Sequence, residues 1–218
     1  MLRTNLNFAR AEGPPRSVVI TSGREGEGKT TAVASLAVAS AEVGLKVIAV
    51  EGDLRRPSLQ RELMPELDEP LRPGLSNYLV EAAPLEEIIH QTARPNIDLV
   101  PAGPLPPSPS ALLESRRGGT AVQDLTTEAD IVLIDCPPLT IGADASVMAG
   151  WADGVIVMVD LQTSTDRSVR SALRQLEAVQ APVLGLLLNR DRTVETTRYD
   201  YYAAADVERG RSVSRERV

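Results

Sequence analysis

Residues 23–30 read Gly-Arg-Glu-Gly-Glu-Gly-Lys-Thr. The β-branched run Ser17-Val18-Val19-Ile20-Thr21 precedes them. After them Val33, Leu36, Ala37, Ser40 and Ala41 recur at helical spacing, up to a plausible stop at Gly44. A buried strand handing over to a helix through such a turn is compatible with few folds. The pattern G-x-x-x-x-G-K-[ST] also has a mechanism: glycines let successive backbone N–H groups curl round a β-phosphate, the lysine reaches the β- and γ-phosphates, and the hydroxyl ligates Mg²⁺. The positive end of the helix dipole adds to the attraction. Gly23, Glu25, Gly26, Glu27, Gly28, Lys29, Thr30 and Thr31 are therefore expected to form a site for ATP and Mg²⁺. A glycine turn with an incidental lysine is the competing reading, and the strand-before, helix-after context weighs against it.

Further apolar runs occupy residues 46–50, 97–100, 131–134, 155–159 and 183–188. Nearly continuous Val, Ile and Leu, without polar alternation, marks strands buried on both faces, as in a mostly parallel sheet sandwiched by helices. Helices are expected over 75–80, 85–90, 119–128, 143–150 and 165–180, and the Pro-rich stretch 101–109 reads as a surface loop. The fold class is thus α/β, a P-loop nucleoside-triphosphatase architecture. One domain is expected over residues 1–190. Residues 191–218, rich in Arg, Thr, Glu and Ser, read as a mobile tail whose arginines, Arg190 and Arg192 included, are solvated.

A formal net charge of −7 argues against nucleic acid as the partner, since phosphate backbones demand a basic face. No apolar run approaches the ~20 residues of a membrane span, and the N-terminus lacks the apolar stretch of a signal peptide. The expectation is a cytoplasmic protein whose membrane contact, at the inner face of the cell membrane, is borrowed from a partner. The single cysteine, Cys136, forms no internal disulfide and reads as a small buried residue. His90, the single histidine, falls in a helix-like stretch as a surface or half-buried bystander.

Acidic residues at the carboxyl ends of neighbouring strands say more about chemistry, because ligands of open α/β sheets bind there. Val47-Ile48-Ala49-Val50 ends in Glu51-Gly52-Asp53-Leu54-Arg55-Arg56-Pro57, and Ile131-Val132-Leu133-Ile134 ends in Asp135-Cys136-Pro137-Pro138. One such carboxylate is as easily a helix cap. Two beside a phosphate loop shift the weight to metal binding and nucleophile activation.

Together, the phosphate loop, the D-x-D-x-R-like segment after the second strand and the D-x-P-P segment after the fourth apolar run resemble the bacterial tyrosine kinases, the cytoplasmic autokinases of capsule and exopolysaccharide assembly. These belong with the deviant-Walker ATPases of partition and cell-division-site placement. Further matches are Leu2-Arg3-Thr4-Asn5-Leu6, Gly74-Leu75-Ser76, Leu99 to Pro104, Pro106 to Leu113, and Gly185 to Arg190. The resemblance implies that Lys29 and Thr30 hold phosphate and Mg²⁺, that Asp53 and Asp135 organise the metal and its waters, and that Glu51 helps take the proton from the attacking tyrosine. It implies that Arg55 belongs to the nucleotide site, that Asn189 contacts adenine, and that Tyr199, Tyr201 and Tyr202 are the phosphoacceptors. Its partner would be a membrane-embedded polysaccharide co-polymerase that activates the kinase.

The sequence departs from the family pattern at Glu51, where the family has Asp. Arg24 stands in the slot of the signature lysine of the partition ATPases, which the tyrosine kinases lack. Of the family's N-terminal E-x-x-R-x-x-R oligomerisation motif only Arg3 is present, and self-association stays open. Two other readings remain: an ATP-binding, non-kinase scaffold regulating polymer length, and a partition-type ATPase that dimerises around nucleotide.

Overall fold

The computed structural model describes residues 2–192. Its sheet contains β1 (Ser17–Ser22), β2 (Val47–Glu51), β3 (His90–Gln91), β4 (Ile97–Val100), β5 (Ile131–Asp135), β6 (Gly154–Asp160) and β7 (Val183–Asn189), in the order β3-β4-β2-β5-β1-β6-β7. Every neighbouring pair is parallel except β3 with β4. Parallel neighbours need crossovers, and helices supply them. On one face lie α1 (Leu2–Leu6), α2 (Lys29–Ala41) and α3 (Leu59–Leu63). The other carries α4 (Leu75–Leu79), α5 (Leu85–Ile88), α6 (Pro109–Leu113), α7 (Gly118–Glu128), α8 (Asp144–Ala149) and α9 (Asp166–Ala178).

The alternation of β1 explains its central place. Val18 and Ile20 pack against Val33, Leu36 and Ala37 of α2, while Val19 joins the core on the opposite face. Each fully buried Val, Leu or Ile among them contributes about 1.5–3 kcal/mol. With β1 in the middle, the loop that follows it opens between the carboxyl ends of β5 and β6, where sheets of this kind bind ligands.

Four local readings change in the structure. β7 is the sheet edge, not a strand buried on both faces: with no further strand beside it among the described residues, Leu186 and Leu188 are 46% and 54% exposed. The helix read over 85–90 stops at Ile88, and His90 enters the antiparallel edge strand β3, its Nε2 2.7 Å from the Pro73 carbonyl. The Pro-rich stretch begins buried, because the Pro101 and Ala102 carbonyls accept from the Leu75 and Ser76 amides (2.7 and 2.9 Å) and so cap α4. It ends as the start of α6, with Pro109 at the first helical position, where a missing N–H costs nothing. Tyr199, Tyr201 and Tyr202 lie outside the described residues, as does the tail expected over 191–218 except for Asp191 and Arg192.

Candidate active site

Between Ser22 and Lys29 the chain makes the turn the glycine pattern requires. Gly26 and Gly28 have φ of 76° and 94°, a region other residues rarely enter. A Cβ on Gly28 would also sit 2.5 Å from Nδ2 of Asn189. The first-turn amides of α2 receive no side-chain cap, which leaves them for an anion.

The buried Glu27 holds this loop from behind. Its carboxylate accepts from the Arg24 amide (3.1 Å) and from the Ser164 hydroxyl, which in turn accepts from the Asp160 amide (2.9 Å). Asn189 Nδ2 donates to the Glu27 carbonyl at 3.1 Å, and the Arg24 guanidinium donates to the Thr163 carbonyl at 2.9 Å. The phosphate loop is thereby wired to the ends of β6 and β7.

The sheet register sets Glu51 and Asp135 side by side on β2 and β5. Asp135 Oδ2 accepts from Thr30 Oγ1 at 2.6 Å, while Oδ1 is buried without any hydrogen-bond partner. Burial pushes the Asp135 carboxyl up to about 6, against the Thr30 hydrogen bond and the Lys29 charge, which pull it down. Asp53 Oδ1 accepts from the Arg55 and Arg56 amides at 3.0 and 2.9 Å, fixing the turn after β2. Cys136, next along the chain from β5, is fully buried against Met148 (Sγ–Sδ 3.7 Å), and burial raises its thiol well above the usual range. It is packed out of reach of solvent, as expected of a small buried residue.

A cleft of about 410 Å³ gathers Glu25, Gly26, Gly28, Lys29, Thr30, Thr31, Asp53 and Asp135, joined by Arg56, Ser58, Glu62, Pro138 and Arg190. Several expected residues lie elsewhere. Glu51 is 1% exposed: Oε2 accepts from the Ser58 and Leu59 amides, both at 2.6 Å, and Oε1 from the Asp53 amide at 3.3 Å. It borders a second cavity, of about 480 Å³, beside Pro57, Gln60 and Arg61. The Arg55 guanidinium turns from the cleft to the buried Asp144 (2.7 Å) and to Ser110 (3.2 Å). Gly23, Glu27 and Asn189 do not line the cleft; Glu27 and Asn189 hold the loop through their hydrogen bonds.

Five cleft residues, Arg56, Ser58, Glu62, Pro138 and Arg190, were not singled out from sequence as site residues. Arg190, expected as a solvated tail residue, pairs with the fully buried Asp160 at 2.7 Å and lines the cleft, with φ of 56°. Its only local signal was its place directly after a strand end. Ser58 and Arg56 stand in the segment after β2, where spacing alone does not say which side chain turns inward. Arg56 spans the mouth of the cleft to Glu25 at 3.1 Å. Such an exposed pair is worth little, so a γ-phosphate can take the guanidinium. Arg56→Ala is expected to weaken ATP binding roughly three- to tenfold more than ADP binding by calorimetry. Equal weakening of both would show that Arg56 does not discriminate the third phosphate.

No cluster of three His, Cys, Asp or Glu side chains shaped for a metal occurs among the described residues. Mg²⁺ does not need such a cluster, since it takes one or two carboxylates and completes its shell with phosphate and water. The orphaned, buried Asp135 Oδ1 beside the Thr30 hydroxyl is where such a cation fits.

Comparison with known proteins decides the family. A family model described as an AAA domain matches residues 16–187. The tyrosine-protein kinase YwqD of Bacillus subtilis (strain 168) is 30% identical over 205 residues, covering 94% of this chain and 85% of YwqD. This chain belongs to the bacterial tyrosine-protein kinases. Among solved structures, the kinase domain of Escherichia coli tyrosine kinase ETK superposes with a TM-score of 0.79 at 29% identity, over 86% of this chain and 72% of that one. The septum site-determining protein MinD of Pyrococcus horikoshii OT3, complexed with Mg-ADP, has a TM-score of 0.69 at 29% identity, over 82% and 71%. The kinase family and the division ATPases thus share this mostly parallel sheet, and the kinase relatives lie nearer.

Proposed function

We propose that this chain transfers the γ-phosphate of Mg-ATP to tyrosine hydroxyls, including its own Tyr199, Tyr201 and Tyr202, in the control of capsular or exopolysaccharide synthesis and export. The observation that carries this reading is the convergence of Lys29, Thr30, Asp53 and Asp135 on one cleft at the carboxyl edge of the sheet. Phosphoryl transfer asks a protein mainly for positioning and charge neutralisation, and this set supplies both. The loop amides and Lys29 hold the β- and γ-phosphates. Thr30 and Asp135 hold Mg²⁺, which when bound neutralises the charge shared by those phosphates. Asp53 lines the cleft, so it is better placed than the walled-off Glu51 to draw the proton from an incoming tyrosine, a group that ordinarily titrates near 10.

The partner in this reading is a membrane-embedded co-polymerase. No described helix is long and apolar enough to cross a membrane, and the anchoring segment is assigned to that partner. Mass spectrometry of the protein incubated with Mg-ATP and its activator tests the proposal. Phosphate on Tyr199, Tyr201 or Tyr202 that vanishes in Lys29→Met is the expected result. A wild type that binds ATP yet carries no phosphotyrosine would favour the scaffold reading, for which the burial of Glu51 is the specific observation. The partition-type reading is disfavoured because Arg24, in the signature-lysine slot, is tied to Thr163 of its own chain.

A further inference from the structure

Ser58 occupies the N-cap of α3, where a serine ordinarily turns its oxygen back onto the amides of the first turn. Here it makes no such bond. Glu51 caps the helix in its place, because its Oε2 accepts from the Ser58 and Leu59 amides, both at 2.6 Å. An aspartate at 51 would be one methylene shorter. The longer side chain spans from the end of β2 to the start of α3, and it leaves the Ser58 hydroxyl with nothing to cap. That hydroxyl lies instead against Thr30, Oγ to Oγ1, at 3.1 Å. Because the single Thr30 proton goes to Asp135, Ser58 is the donor in this contact.

Mg²⁺ holds its octahedral ligands at 2.0–2.1 Å, so two ligands on adjacent corners stand about 2.9 Å apart. Thr30 Oγ1 and Ser58 Oγ, at 3.1 Å, are close to that separation. The buried Asp135 Oδ1, on the carboxylate that holds Thr30, has no hydrogen-bond partner and is independently an oxygen that a cation at this place would meet. We propose that Ser58 is a second hydroxyl ligand of the metal, bound at the corner beside Thr30, and that Glu51 is the positioning residue that presents it. Binding requires the Ser58 proton to swing off the Thr30 oxygen so that a lone pair faces the cation. This inference rests on reading the cleft as a Mg-nucleotide site, and Ser58 lines that cleft.

Mn²⁺ is a paramagnetic stand-in, and its affinity can be read by electron paramagnetic resonance on the full chain with ADP. Ser58→Ala is expected to weaken Mn²⁺ retention about tenfold while leaving ADP affinity in chelator unchanged, and Ser58→Thr to restore it. Ser58→Cys should shift preference from Mg²⁺ to the softer Cd²⁺, which a merely structural hydroxyl would not do. Glu51→Asp should reproduce part of the Ser58→Ala loss. Wild-type binding of Mn²⁺ and ADP with no change in Ser58→Ala, or no Cd²⁺ preference in Ser58→Cys, would overturn the assignment. Failure of the wild type to hold Mn²⁺ with ADP would overturn the metal reading and this inference together. Absence of phosphotyrosine with Mn²⁺ binding intact would fall on the kinase reading alone.

Discussion

Asp135→Asn is expected to lower tyrosine phosphorylation by roughly 10²–10³-fold at saturating ATP, while leaving the fold intact. Asp135 is 2% exposed, and its Oδ2 holds the hydroxyl of the phosphate loop at 2.6 Å. An asparagine keeps the shape of the side chain and can still accept from Thr30. What it loses is charge where Oδ1 faces no partner, and an amide N–H there meets the cation with the wrong sign. Phosphotyrosine initial rates over a Mg²⁺ titration, with a thermal melt as control, measure this. The melt should not fall, since the substitution removes a buried carboxylate that burial already pushes up to about 6. A variant retaining more than a tenth of wild-type activity would remove Asp135 from the metal site.

The second large effect concerns stability of the metal-free protein. Burial first, and repulsion from Asp135 second, push the Glu51 carboxyl up to about 8 from its ordinary value of 4.5. In the folded chain the protonated form is therefore favoured. The Glu51 contribution to stability is full below about pH 4.5 and is lost as pH rises through about 8, because the unfolded chain ionises this group freely and the folded one does not. Integrated over that window, the loss is on the order of 3–5 kcal/mol. Glu51→Gln removes this dependence, so wild type and variant should diverge in denaturant midpoint between about pH 5 and 8, with the variant the more stable at the upper end. Parallel curves would mean that the two backbone donors at 2.6 Å already hold the carboxylate ionised.

Wherever a contiguous segment carries both the geometry and the chemistry, the sequence was legible. The phosphate loop is such a case: strand, glycine turn, Lys29, Thr30 and α2 follow one another within one stretch of chain. The buried strands were also readable, because a parallel sheet covered on both faces leaves uninterrupted Val, Ile and Leu runs. The same rule misread β7, since a run of leucines looks alike whether or not another strand lies beside it. Of the five-residue helices α4 was read from sequence but α3 and α6 were not, because prolines stand at their starts, Pro57 before α3 and Pro106, Pro107 and Pro109 at α6, and read as loop signals.

Within the site, the residues nearest in sequence were the least decidable. Glu51, Asp53, Arg55, Arg56 and Ser58 all lie at the end of β2 or on the segment leaving it, and spacing cannot tell which of them turn inward. Asp144 on α8, 89 positions away, draws Arg55 out of the cleft; Glu25, 31 positions away, holds Arg56 across its mouth. The α3 amides draw Glu51 behind the wall and leave Ser58 against Thr30. Sequence by itself determined the phosphate loop, the α/β class and the pair of strand-end carboxylates, because each is encoded by neighbours along the chain. Tertiary structure alone decided which side chains line the cleft, because those choices are made by partners that only the folded sheet brings within hydrogen-bond reach.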